Sequence, residues 1–307
     1  MSRPGPEVVG GPWSDGGMTP SPRAHLVLGA PGTGRSTRVV EEVLAHLEGG
    51  GDLSEVLVLA PSRLTASMLR ERLEERWQRG ATGMPVYSHQ AFGFSVLSHH
   101  ARLTGAEPPS LLTGADQDAV LADLLAGVAG DDAAFAAAGW PEEVRAAVGT
   151  QGFRDQVRDL FMRAVEHGVT AGELAALDDQ QGECGTSGLW RAAAGLMREY
   201  EQVTALADHQ AVDAAWVVAA AADLLVVDDA LAQVVAEPLR LVLVDDAQEL
   251  TAGTQALLDA LAVRAPDARW VLVGDPDAAV QGFRGARPGA FVEWAGDPEP
   301  EVLGRSV

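Results

Sequence analysis

The chain has 307 residues, 22 basic against 44 acidic side chains for a formal net charge of −22, 47% hydrophobic residues, 21% charged residues and one cysteine. This length exceeds an ordinary single domain, and the apolar fraction excludes global disorder. The lone Cys184 excludes an internal disulfide and a cysteine-based zinc site, and the absence of a basic-then-apolar leader or an 18-residue apolar run predicts a cytoplasmic protein without membrane association.

All 22 basic residues are arginine. Acids outnumber arginines by 16 in residues 103–240, whereas residues 23–102 carry one more arginine than acids. An acidic protein repels phosphate unless basic groups gather locally, so a nucleic-acid face, if present, belongs in the balanced first third.

Residues 1–22 read as a flexible tail rich in Gly and Pro. The runs AHLVLGA (24–30), EVLVLAP (55–61), LRLVLVDD (239–246) and RWVLVGD (269–275) are short and apolar on both faces, as buried parallel strands are. The first three are each followed by a helix-like stretch, which predicts an α/β sheet flanked by helices. The helical stretch 62–79 carries Arg63, Arg70, Arg72, Arg76 and Arg79 among glutamates, a pattern that by itself reads as a solvated, salt-bridged face. Segments such as DQDAVLADLLAGVAG (116–130) make residues 103–237 helical, with no convincing strand. The expected organisation is therefore the tail 1–22, the first part of an α/β domain at 23–102, a helical insertion at 103–237 and the second part of the α/β domain at 238–307. The seven histidines show no ligand spacing.

After the first strand, GAPGTGRST (29–37) leads into a helix-like stretch. The spacing is that of a phosphate-binding loop: a glycine, four residues, a glycine, a basic residue and serine, with Arg35 where lysine is usual. Gly32 and Gly34 allow successive backbone N–H groups to turn inward, and the helix N-terminus adds partial positive charge. The Ser36 hydroxyl is placed to reach a magnesium ion. Asp245 and Asp246, at the end of a second buried strand, suit magnesium binding through water and orientation of an attacking water. A third strand ends in GDPDAAVQGFRGA (274–286), and three strand ends on one edge of a parallel sheet mark a ligand site.

Together these pieces resemble the UvrD/Rep family of superfamily 1 DNA helicases. In family order stand GAPGTGRST, LVLAPSRLTASMLRERL, VYSHQAFGFSVL (86–97), DDAQE and GDPDAAVQGFRGA. Within the insertion, LLTGADQDAVLADLL and GFRDQVRDLFMRAVEHG are similar to stretches of the AdnA-type helicase–nuclease subunits of actinobacteria. The resemblance implies a RecA-like P-loop NTPase sheet interrupted by an all-helical insertion, acting on single-stranded DNA with ATP and Mg2+, in DNA unwinding and recombinational repair. It implies that Gly29, Ala30, Pro31, Gly32, Thr33, Gly34, Arg35, Ser36 and Thr37 wrap the phosphates, and that Ser36 and Asp245 serve magnesium. Catalysis would fall to Asp245, Asp246 and Arg35, and Gln248 would link nucleotide to DNA. Single-strand contacts are implied for Ser62, Arg63, Ser88, His89, Phe92, Phe283 and Arg284.

Four departures qualify the resemblance. Arg35 replaces lysine, Asp246 replaces glutamate, Ala278 replaces the first glutamine of the late motif, and Gln281 replaces a tyrosine that could stack on a base. The first three fall on one catalytic centre and predict a weakened ATPase. The chain ends before the second RecA-like domain that the family uses, so completion by further sequence or by a helicase or helicase–nuclease partner subunit is expected. The competing expectation is a vestigial, non-catalytic motor subunit with an architectural role; a small-molecule kinase would have no use for the late motif.

Overall fold

The computed structural model describes residues 24–77, 83–180, 188–206, 211–282, 285–296 and 299–304. The tail 1–22, Cys184, Phe283 and Arg284 therefore lie outside the described residues. The chain opens with β1 (His25–Leu28), α1 (Arg35–Glu48), β2 (Val56–Ala60), α2 (Arg63–Arg76), β3 (Val86–Ser88) and α3 (His89–Thr104). There follow β4 (Ser110–Leu111), α4 (Gly114–Ala129), α5 (Asp132–Ala138), α6 (Gln151–Glu166), α7 (Ala171–Gln180), α8 (Leu189–Leu206) and β5 (Ala211–Val212). The last stretch contains α9 (Val217–Val227), α10 (Asp229–Val235), β6 (Leu241–Val244), α11 (Ala252–Arg264), β7 (Arg269–Gly274), α12 (Ala290–Trp294) and β8 (Glu301–Val302).

Six strands form one parallel sheet in the order β3-β2-β6-β7-β1-β8. The four apolar runs supply its centre, where β2 and β6 are buried along their whole length. Because successive side chains alternate faces, one strand feeds two cores. Leu57, Leu59, Val242, Val244, Trp270 and Leu272 join α3, α9, α10, α11 and α12 on one face. Val58, Leu243, Val271 and Val273 join α1 and α2 on the other. The edge strands β3 and β8 are too short to stand out in the sequence as apolar runs.

A separate core of Leu121, Leu125, Phe135, Trp140, Phe153, Phe161, Met197 and Tyr200 lies among α4 to α8. Two features of this region were not anticipated. The short strands β4 and β5 pair in parallel and so join the chain before α4 to the chain after α8. Helices α9 and α10, within the stretch 103–237, bury Val218, Ala221, Leu225 and Leu231 in the sheet's core, not in the helical one. Close packing of α9 on α3 needs Gly93, where a Cβ would come within 3.0 Å of the Val217 backbone oxygen.

Candidate functional site

Every strand of a parallel sheet ends on the same edge, so the loops after β1, β2, β3, β6 and β7 converge. After β1 the backbone turns through Gly32 (φ 86°) and Gly34 (φ 97°), conformations that residues with a Cβ rarely adopt. Thr33 closes the turn by donating its backbone N–H (3.1 Å) and its hydroxyl (2.8 Å) to the Ala30 carbonyl. At Gly29 a Cβ would stand 2.4 Å from the Thr33 hydroxyl, so a larger residue here would force that side chain, which closes the turn, to shift. Gly34 caps α1 without a side-chain hydrogen bond, which leaves the helix's positive end open towards the loop. Ala30, Pro31, Gly32 and Thr37 are exposed around it.

The carboxylates after β6 meet this loop. Ser36 Oγ donates to Asp245 Oδ2 at 3.1 Å, and an Arg35 Nη lies 2.9 Å from Asp246 Oδ1. Asp245 is completely buried, and burial, together with the Asp246 carboxylate beside it, pushes its pKa up to about 6. The second oxygen of Asp245 and the other Nη of Arg35 are buried with no hydrogen-bond partner. Unsatisfied buried polar atoms are rare, and these two belong to side chains close enough for the Arg35 charge to act on Asp245. Asp246 has φ 49° and ψ 49°, the one positive φ outside glycine among the described residues. Aspartate tolerates this left-handed conformation better than longer side chains, a local reason for aspartate here.

Two buried side chains join the loop after β6 to the loop after β7. Gln248 Nε2 donates to Asp246 Oδ1 at 3.1 Å while its Oε1 accepts the Asp275 N–H at 3.0 Å. Glu249 takes the backbone N–H groups of Val280 (2.8 Å) and Gln281 (2.9 Å), one on each carboxylate oxygen. Gln248 thus stands between the acidic pair and the late motif. Sequence reading missed Glu249; the only available signal was a glutamate directly following Gln248 in DDAQEL.

The residues implied for single-strand contact divide into groups. Ser62 caps α2, accepting the Thr65 N–H at 3.1 Å, and Ser88 caps α3, accepting the Ala91 N–H at 3.2 Å. Arg63 is exposed and has no ion-pair partner among the described residues, whereas Arg70 donates to the Val86 carbonyl at 2.6 Å. His89 is buried, its Nδ1 lies 3.5 Å from Thr254 Oγ1, and burial holds the imidazole near pKa 4 and so neutral. Phe92 is a correction: its ring is only 5% exposed, packs in the sheet's core and lies 5.9 Å from the Tyr87 ring, so it presents no face to a base.

The chain matches the family model for the UvrD/REP helicase N-terminal domain over residues 17–299. It belongs to the UvrD/Rep helicase family. Comparison with curated proteins returns no match. As a helicase motor domain the chain joins a family of ATP-dependent DNA helicases, and its α/β sheet, split by inserted helices, agrees with a RecA-like helicase fold. No helix of the described residues is long and apolar enough to cross a membrane.

Proposed function

We propose that this UvrD/Rep helicase domain binds ATP on the loop from Gly29 to Thr37 and couples its binding and hydrolysis to movement along single-stranded DNA, in unwinding and recombinational repair. The observation that carries this reading is the pair of buried, unpartnered polar atoms on Arg35 and Asp245 at the open N-terminus of α1. The residues fit a magnesium–nucleotide complex: Ser36 and Asp245 would hold the ion, and the loop N–H groups and Arg35 would meet phosphate oxygens. When bound, the ion neutralises charge on the outer phosphates. We assign residues 23–102 and 238–307 to the ATP-binding domain and 103–237 to the insertion, with α9 and α10 as the part of the insertion that packs on the sheet.

The chain's own groups have separable roles. Asp246 orients the attacking water once Arg35 has turned from it to phosphate. Gln248 passes that change to the loop after β7 through the Asp275 N–H, and Ser62, Arg63, Ser88 and His89, with Phe283 and Arg284, meet the strand. Because Arg35 and Gln248 both engage Asp246, hydrolysis is weakened relative to a centre with a free carboxylate. The same bridge favours a second reading, a motor subunit of AdnA-type ancestry that binds nucleotide without turnover and supports an active helicase partner. Measurement of nucleotide and single-strand binding at low salt tests the first reading, which absence of both would sink. Single-turnover ATP hydrolysis separates the two.

A further inference from the structure

A groove of about 210 Å³ runs between α8 and α9, where one water would need only roughly 10–15 Å³. Side chains one helical turn apart line each bank: Met197 and Glu201 on α8, and Ala219 and Asp223 on α9, with Trp216 at the residue before α9. The loop joining α6 to α7 supplies the third side, with Val169. Met197 belongs to the helical core, whereas α9 is anchored in the sheet's core through Ala221 and Leu225. The groove therefore lies on the seam between the two cores.

The walls are apolar except at two carboxylates, and no arginine or histidine lines the groove among the described residues. Glu201 is half-buried and accepts the Trp216 Nε1–H at 3.1 Å; burial raises its pKa, against that hydrogen bond and the charge of Arg198, which is exposed on α8 and does not line the groove. Asp223 stands at the rim with no hydrogen bond or ion pair among the described residues, and partial burial raises its pKa as well. Such walls repel anions, and a neutral apolar ligand would cover both carboxylates without pairing them. A compact metal ion does not suit them either. Glu201 is bonded to Trp216, and Asp223 lies seven residues further on, about 10 Å along α9 at the helical rise. The two carboxylates thus stand towards opposite ends of an apolar channel, which calls for an elongated ligand with a cation at each end.

We propose that this groove binds a linear alkyl diammonium ion, the class to which short polyamines belong, with one ammonium on Glu201, the other on Asp223 and the methylenes along Met197, Ala219 and Trp216. The bound ion braces α8 of the insertion against α9 on the sheet. The inference goes beyond the nucleotide and single-strand reading and does not depend on it. Calorimetric titration of the full chain with cadaverine, with n-pentylamine and with magnesium chloride, at fixed ionic strength and neutral pH, tests it. Cadaverine should bind about tenfold or more tighter than n-pentylamine, the scale of one hydrogen bond to a charged group. Magnesium, of the same charge, should not compete for the site. Glu201→Gln and Asp223→Asn should each bring cadaverine down to the affinity of n-pentylamine, and Ala219→Leu, which fills the groove and keeps both carboxylates, should abolish binding. Asp223 has no partner to lose, so Asp223→Asn keeps the test decisive even where another variant fails to fold. Equal affinity for the two amines, displacement by magnesium, or cadaverine binding unchanged by Asp223→Asn would mean attraction to the chain's net charge of −22 alone and would overturn the inference.

Discussion

The Arg35 guanidinium reaches from the start of α1 to the Asp246 carboxylate at 2.9 Å, and both side chains are largely buried, at 14% and 26% exposure. The two departures at this centre are thus one structural unit: a longer, wider cation meets a shorter anion. Without nucleotide the bridge occupies the carboxylate that we propose orients water. Arginine cannot simply substitute for lysine in such a position, because its planar guanidinium is wider than an ammonium and here engages the carboxylate through one Nη while the other stays unpaired.

The bridge predicts non-additive kinetics. Arg35→Lys and Asp246→Glu made singly should each change DNA-stimulated ATP hydrolysis modestly, since each leaves a mismatched partner. Together they should raise kcat by about tenfold or more, within the roughly 10²-fold that about 1 Å of misplacement costs. Steady-state hydrolysis by the four proteins decides it; a double variant equal to the product of the singles would show that the bridge does not govern turnover.

Asp245 and His89 predict opposite pH effects on stability in the nucleotide-free protein. Asp245 has a folded-state pKa of about 6, above its ordinary 3.8, so the stabilising protonated form is fully present below the ordinary value and its benefit is lost as pH rises through 6. Asp245→Asn should therefore raise stability above pH 6, by up to roughly 3 kcal/mol at 1.4 kcal/mol per pH unit, and should bring little gain below pH 4. His89, depressed from 6.5 to about 4, supports the fold above pH 6.5 and loses that support as pH falls towards 4. Denaturant melts of Asp245→Asn and His89→Phe across this range should diverge from the parent in opposite directions.

Glu249 predicts a selective loss. Glu249→Gln keeps the shape but sets an amide N–H₂ against one of the two backbone donors, Val280 or Gln281. The cost should be about 1–3 kcal/mol of stability, and single-strand affinity should fall more than nucleotide affinity, because the loop after β7 leads to Phe283 and Arg284, which we propose meet the strand, while Asp245 and Arg35 are untouched. Paired titrations with nucleotide and oligonucleotide would expose an equal loss of both, which this reading forbids.

Gly285 predicts a contact between insertion and motor. It has φ 83°, and a Cβ there would lie 2.9 Å from the Glu166 backbone oxygen at the end of α6. Gly285→Ala should destabilise by about 1–3 kcal/mol through backbone strain alone and should loosen α6 against the loop after β7. Hydrogen exchange at the C-terminal turn of α6 should rise; unchanged protection there would separate the two elements.

Much of the frame was legible in the sequence because buried parallel strands are apolar on both faces. The runs at 24–30, 55–61, 239–246 and 269–275 contain β1, β2, β6 and β7. Strands β3 and β8 escaped because edge strands of three and two residues carry no period. The stretch 103–237 read as uniformly helical, yet α9 and α10 face the sheet: an apolar helix such as VVAAAADLLVV offers the same residues to either core.

The sequence by itself determined the glycine-rich turn before α1, the acidic pair and the family, because these depend on residue types at fixed local spacing: glycines for positive φ, a serine and a basic residue at the helix start, carboxylates at a strand end. Only the tertiary structure decided what those groups do to one another. Arg35 meets Asp246, Ser36 meets Asp245, and Gln248 and Glu249 clamp the loop after β7, all across separations of chain that no local pattern encodes. It also decided that Phe92 belongs to the core and that His89 is buried with an unpaired nitrogen. Which face a side chain presents depends on what packs against it, and that is fixed when the sheet and the inserted helices close together.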